Sequence, residues 1–235
     1  MLTRQAIDSG MYMQHFDSAP NLWTLNQINA SLEQTMRARP ASAKDVWLFA
    51  YGSLMWNPMV EFSSQEVGML QGWHRSFCLS MSHGRASPDQ PGRMLALREG
   101  GSTSGVALKL PEHTLGEKLK RIWIREMILG SYRPVWADVQ LRGGDTVPAV
   151  VFVGDETREA FCPDASVDTV APLIADAVGK LGSNVDYLLR LQRALHELGL
   201  RDAYIDAISG HIRRQDPAMS AVEADLPGHT ATLVR

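Results

Sequence analysis

VWLFAYGSLMWNP, residues 46–58, begins as an unbroken apolar run and then breaks into Gly52-Ser53, a tryptophan and an Asn-Pro stop. A short apolar run closed by turn residues reads as a strand buried on both faces, here Val46 to Tyr51. A strand that ends on Gly-Ser can present the backbone N–H groups of Gly52, Ser53 and Leu54 in one concavity, a seat for a carboxylate or a polarised carbonyl oxygen. Taken alone, the same residues also make an ordinary strand-to-loop turn with Trp56 packed on the core.

The surroundings supply the fold class. GMLQGWHRSFCLSMS alternates Trp73, Arg75, Phe77 and Leu79 against His74, Ser76, Cys78 and Ser80, a strand period of two. The polar, proline-rich HGRASPDQPG that follows suits a loop facing a substrate. RMLAL and TSGVALKL then flank REGGS, which predicts a hairpin with a glycine turn. Two more strands, YRPVWADVQL and TVPAVVFVG, surround the turn RGGD. From Ser166 onward the pattern is helical, with Ser183 the N-cap of NVDYLLRLQRALHEL and Gly199 its stop. Strands in the first two thirds and helices in the last third make an α+β domain with an antiparallel or mixed sheet.

Ahead of this domain, residues 1–19 are polar and aperiodic, which predicts a poorly ordered end. Leu22, Leu25, Ile28, Leu32 and Met36 then form an accessory helix that Pro40 stops. The expected organisation is an N-terminal extension over 1–44, the domain over 45–214 and a flexible tail over 215–235.

In EHTLGEKLKRIWIREMILG, Leu115, Leu119, Ile122 and Trp123 make the buried stripe, with Glu117, Lys118, Arg121 and Arg125 on the opposite, solvent side. Glu117 and Arg121 have the order of an exposed i,i+4 pair. Glu126 extends the buried stripe instead, where a carboxylate loses its hydration and its pKa rises toward the range of a general acid/base. Periodicity leaves two readings open: such a catalyst, or a partner for an arginine such as Arg133 at the helix margin.

Bulk features narrow the function. With 45% hydrophobic and 21% charged residues in 235, the chain is an ordinary globular protein. A net charge of −3 without a dense basic run offers no footprint for nucleic acid. No apolar run approaches the ~20 residues of a membrane span, so no membrane partner is expected, and no secretory leader is visible; the chain reads as cytoplasmic. Two cysteines make no disulfide framework, and seven histidines lack metal-ligand spacing. Ser53 is not in a G-x-S-x-G elbow, and His74 lies four strand positions from Cys78, about 13 Å away at ~3.3 Å per residue.

FAYGSLMWNP, GWHRSFCLSMSHGRASPDQPGRMLAL, GVALKLP, IREMILGSYRPVW and GSNVDYLLRLQRALHELGLRDAYIDAI, in that order, resemble the ChaC family of γ-glutamylcyclotransferases from about Val46 to Ile212. The resemblance implies a small mixed β-barrel or sheet with flanking helices. It implies a lyase-type enzyme that releases 5-oxoproline and Cys-Gly from glutathione and needs no cofactor. It makes Glu126 the catalytic acid/base and the YGSL loop the binder of the γ-glutamyl group, through Gly52, Ser53 and Leu54 with Tyr51 on the floor. Arg75 is a further candidate for a carboxylate, with an internal salt bridge as the competing role. HGRASP departs from the family's His-Arg-Gly-Thr-Pro-like loop, which leaves the residues shaping specificity over 83–88 open. Other γ-glutamyl compounds, or a noncatalytic γ-glutamyl-peptide regulator, remain alternatives. The limits of the resemblance also imply that a chain starting at Lys44 folds and stays active.

Overall fold

In the computed structural model, residues 3–17, 19 and 21–215 are described, and residues 216–235 of the expected tail lie outside them. β1 (Trp47–Ala50) is apolar throughout because both its faces are covered. Leu48 and Ala50 join one hydrophobic cluster while Phe49 and the following Tyr51 join another.

β1 lies antiparallel to β3 (Gly92–Lys109), from Trp47 opposite Lys109 to Ala50 opposite Val106, and parallel to β5 (Thr146–Gly154). β2 (Ser64–Met81) pairs with β3, and β4 (Tyr132–Leu141) joins β2 to β5. The order β1-β3-β2-β4-β5 closes into a barrel with one parallel pair, and with its helices the domain is α+β.

The hairpin expected at REGGS is absent. β3 runs through Gly100 and Gly101 as one strand, and the register against β2 slips between Gln71 and Trp73. Gly72, Gly100 and Gly101 all take positive φ, at 81°, 101° and 68°, so the glycines make a bulge that bends the paired strands rather than a turn that reverses one. The chain reverses instead through residues 82–91, which connect β2 to β3. The expected alternation along β2 also fades, since Arg75 to Leu79 are buried on both faces.

Helices cover both sides of the barrel. α4 (Leu115–Met127) packs with the first cluster; α5 (Val167–Asp176), α6 (Asn184–Glu197) and α7 (Ala203–Gln215) pack with the second. Ser183 caps α6, its hydroxyl accepting from the Asp186 N–H at 3.1 Å, and Gly199 follows its end with φ 68°. Between α5 and α6, β6 (Val178–Gly179) and β7 (Gly182–Ser183) make a tight ribbon. No helix among the described residues is long and apolar enough to cross a membrane.

The accessory helix expected ahead of the domain is present as α3 (Leu25–Arg37), but residues 3–17 pack differently from the loose end expected over 1–19. They form α1 (Arg4–Asp8) and α2 (Met11–Gln14), and Ile7, Tyr12 and Phe16, with Ile28 of α3, are buried in the same cluster as Ile122 and Trp123 of α4. The Trp123 indole N–H donates to Ser31 Oγ at 3.3 Å, and that of Trp136 to the Thr35 carbonyl at 2.8 Å. Gly130 is glycine because any Cβ there would collide with the Trp23 indole. Ile7, Tyr12 and Phe16 are too irregularly spaced to show a period, yet they and Ile28 share the domain's core, so the sequence boundary near residue 44 is not a packing boundary.

Candidate active site

Glu126 stands in the last turn of α4, continuing the stripe of Leu119, Ile122 and Trp123, and its side chain is 14% exposed. Burial pushes its carboxyl above the usual glutamate range, and the adjacent Arg125 guanidinium draws it back only in part. Arg125 Nε lies 2.9 Å from Glu126 Oε1, but that buried oxygen accepts no hydrogen bond among the described residues. The pair therefore attracts through charge without an N–H aligned on the oxygen. Arg133 is exposed on β4 and is not its partner.

Arg125 and Lys118 correct the expected solvent face of α4, since both are buried. The chain after β1 folds over that flank: Lys118 Nζ donates to the Glu61 carbonyl and lies 3.2 Å from its Oε2, while Arg125 Nη2 donates to Ser53 Oγ at 2.7 Å and Nη1 to the Asn57 carbonyl. Arg121 pairs with Asp8, Nε to Oδ1 at 2.7 Å, rather than with Glu117.

Residues Ser53–Met55 form a 3₁₀ turn in which the Met55 N–H donates to the Gly52 carbonyl and the Asn57 N–H to that of Ser53, both at 2.9 Å. The N–H groups of Gly52, Ser53 and Leu54 precede these bonds and are not consumed by the turn itself. That of Ser53 engages the Tyr187 hydroxyl, whose pKa burial pushes up to about 12. A Cβ on Gly52 would sit 2.8 Å from the same hydroxyl, so glycine at this position is what lets α6 bring Tyr187 against the turn. Trp56 meets the Tyr187 ring edge-on, with centroids 5.4 Å apart.

Glu126, Ser53, Trp56 and Tyr187 line one cavity of about 610 Å³, together with His83, Gly84 and Arg85 from the proline-rich loop. Five cations, Arg85, Arg93, Arg125, Lys180 and Arg190, and two carboxylates, Glu126 and Asp186, are part of its lining. Arg85 and Arg190 both bind Asp186, at 2.6 and 2.9 Å; burial acts to raise that carboxyl, but these hydrogen bonds win and hold it below its usual range. The lining thus carries more cations than carboxylates, with a buried carboxyl of raised pKa among them.

The other sequence-predicted residues stand behind or outside it. Gly52 and Leu54 support the turn from behind the lining. The Tyr51 hydroxyl donates to the Phe152 carbonyl at 2.5 Å, beneath the site. Arg75 donates to the Tyr51 and Ser104 carbonyls and pairs with Asp202 at 2.9 Å, beside a second cavity of about 560 Å³. In that second cavity Arg75 is committed to Asp202, and Arg98 turns to Glu156 and the Pro163 carbonyl. Sequence reasoning missed Arg125, Asn57, Arg93, Asp186, Tyr187 and Arg190. Arg125 carried a signal in being adjacent to the misplaced Glu126; Tyr187 looked like any apolar position of α6.

Residues 46–215 match the family described as ChaC-like protein. A protein of Escherichia coli K12 named glutathione-specific gamma-glutamylcyclotransferase is 49% identical over 181 residues, covering 77% of this chain and 78% of that one. A Danio rerio protein, glutathione-specific gamma-glutamylcyclotransferase 1, is 32% identical over 155 residues, covering 64% and 79% respectively. The solved structure of a yeast γ-glutamyl cyclotransferase specific to glutathione superposes with a TM-score of 0.67 over 72% of this chain and 96% of that one; at 21% identity it bears on the fold alone.

Proposed function

The chain belongs to the ChaC-like family, and from that premise we propose that it is a glutathione-specific γ-glutamylcyclotransferase acting in the cytoplasm, where its two free cysteines, Cys78 and Cys162, suit a reducing medium. The α-amine of the γ-glutamyl unit attacks the unit's own γ-carbonyl, forming a C–N bond that closes a five-membered lactam. The bond from that carbonyl to the cysteine nitrogen then breaks, releasing 5-oxoproline and Cys-Gly. Because both reacting groups belong to one molecule, the protein's first task is to hold the folded conformer in which they meet.

Glu126 takes the proton that the α-ammonium gives up on attack and delivers one to the departing nitrogen. A carboxyl raised by burial suits both halves of that exchange better than a solvated glutamate does. The single observation carrying this role is the placement of Glu126, which lines a cavity otherwise rich in cations while its Oε1 is buried and accepts no hydrogen bond among the described residues. The turn at Gly52 to Leu54 meets the γ-glutamyl group through Ser53, which lines the cavity, and the cations of the lining accept the two carboxylates of the tripeptide.

Incubation of the purified protein with glutathione, with separate quantitation of 5-oxoproline, free glutamate and Cys-Gly, tests this. Equimolar 5-oxoproline and Cys-Gly are expected. Free glutamate in place of 5-oxoproline would mean hydrolysis and reject the cyclisation; turnover of γ-glutamyl amino acids but not of glutathione would move the substrate; binding without product would leave a regulator.

A further inference from the structure

The cavity has a wall that lies outside the family match, which begins at residue 46. Tyr12 and Phe16, both buried, come from the N-terminal segment and line the same cavity as Glu126. The Tyr12 hydroxyl donates to the Arg125 carbonyl at 3.4 Å, and its ring meets Phe16 edge-on with centroids 5.3 Å apart. Phe16 in turn reaches the proline-rich loop and the β6–β7 ribbon: the space beside Gly84 is bounded by its ring on one side and Leu181 on the other. The aromatic pair therefore spans the gap between the catalytic helix and the loop over 82–91. Ion pairs of Asp8 with Arg121 and of Arg4 with Glu61 fasten the segment to that side of the domain.

Tyr12 is also within reach of the catalytic charges. Burial pushes its phenol up, Arg125 draws it back and the Glu126 carboxylate raises it again. In the cyclisation, Glu126 protonates the cysteine nitrogen, and the cysteine sulfur is only three bonds from that nitrogen. The apolar wall next to Glu126 is thus a place that suits the thiol-bearing side chain, while the carboxylates of glutathione are drawn to the arginines. Aromatic rings suit sulfur as a neighbour.

Resting on the glutathione reading above, we propose that Tyr12 and Phe16 form the subsite for the cysteinyl side chain, so that the N-terminal segment determines specificity. The consequence is selectivity for a substituent at this position. An apolar pocket distinguishes substrates differing by a small group by about 10-fold or more in kcat/KM.

The test compares glutathione with γ-glutamylglycylglycine, which has the same backbone and no cysteine side chain, using the full-length protein and its Phe16→Ala, Phe16→Leu and Phe16→Trp variants. The analogue is followed as a substrate, or as a competitive inhibitor of glutathione turnover where it is too slow. In Phe16→Ala the preference for glutathione over the analogue should shrink by about 10-fold, mainly through KM, with Phe16→Leu restoring part of it. Phe16→Trp fills the subsite instead of emptying it, so it should impair glutathione more than the analogue while unfolding near the wild-type temperature; it keeps the test alive if the alanine variant fails to fold. Equal losses for both ligands, with their ratio within twofold of wild type in folded protein, would overturn the subsite. Wild-type protein that does not cyclise glutathione would instead overturn the reading it rests on.

Discussion

Glu126→Gln separates the two roles that a buried carboxylate beside an arginine can have, because they predict opposite signs for stability. If Glu126 were an ion-pair partner, the change would leave Arg125 buried without its counter-charge, a loss of about 3–5 kcal/mol. At roughly 2–4 °C per kcal/mol for a domain of this size, unfolding would fall by about 6–20 °C. The geometry points the other way. Oε1 gains no hydrogen bond from Arg125, whose guanidinium keeps Ser53 and Asn57 as acceptors in the variant, and burial outweighs the arginine in setting the carboxyl's pKa. A carboxyl whose folded pKa is raised contributes stability that is fully present below the unfolded value, 4.5 here, and is lost as pH rises through the folded value. Each unit of that rise is worth about 1.4 kcal/mol, which the glutamine recovers. The variant should therefore unfold at or above the wild-type temperature at neutral pH, with its advantage growing as pH climbs from 4.5 and levelling off above the folded pKa. Its kcat for 5-oxoproline release should fall by about 10² to 10⁴, with KM changed far less, because the turn at Gly52 to Leu54 is untouched. The measurements are glutathione turnover and thermal unfolding across pH 4–9 for both proteins. Near wild-type kcat, or a large drop in unfolding temperature at neutral pH, would refute the reasoning.

Arg125→Met removes the charge that holds the Glu126 pKa down, so the acid limb of the kcat/KM–pH profile should move to higher pH; an unmoved limb would mean that the limb is not Glu126. Reduced glutathione should be turned over with a kcat/KM at least about 10-fold above that of its disulfide, since a second tripeptide must project from a cavity of about 610 Å³; comparable values would place the thiol outside that cavity. A chain starting at Lys44 loses Ile28, Trp23 and the aromatic pair at Tyr12 and Phe16, so it should be insoluble or inactive, the reverse of what the limits of resemblance imply. Soluble, active truncated protein would show that the N-terminal segment is dispensable.

Elements whose cause is local could be read from the chain. β1, β4, β5 and α6 follow from apolar runs and from caps a few residues away, and Ser183 caps α6 as expected. Where two local structures share one signal, the sequence could not decide. Glycine between apolar runs serves a hairpin and a bulge alike, and the facing strand, with its own Gly72 in positive φ, makes Gly100 and Gly101 a bulge. The chain ahead of α3 was illegible for another reason: Ile7, Tyr12 and Phe16 have no period because they contact the domain as separate anchors around short helices, not along one continuous stripe.

The same division runs through the site. Glu126 was visible because burying a carboxylate is costly wherever it happens, so a glutamate on an apolar stripe is conspicuous without knowledge of its neighbours. Arg125 was not, although it is the next residue. Successive residues of a helix point about 100° apart, at 3.6 per turn, so a helix that buries both must be covered on two flanks. The first cover is the stripe's own core; the second is the chain from Ser53 to Glu61, which returns over α4 only because β1 ends where it does. The abrupt end at Gly52-Ser53 therefore has two consequences. It places Ser53 on the cavity lining, and it redirects the chain so that Ser53 and Asn57 accept from Arg125 and fix that guanidinium beside Glu126. A change that straightened the turn without touching either charged residue would remove the support of the guanidinium and leave the carboxyl on its helix, so the turn and the carboxyl act as one unit although 72 positions separate Ser53 from Arg125.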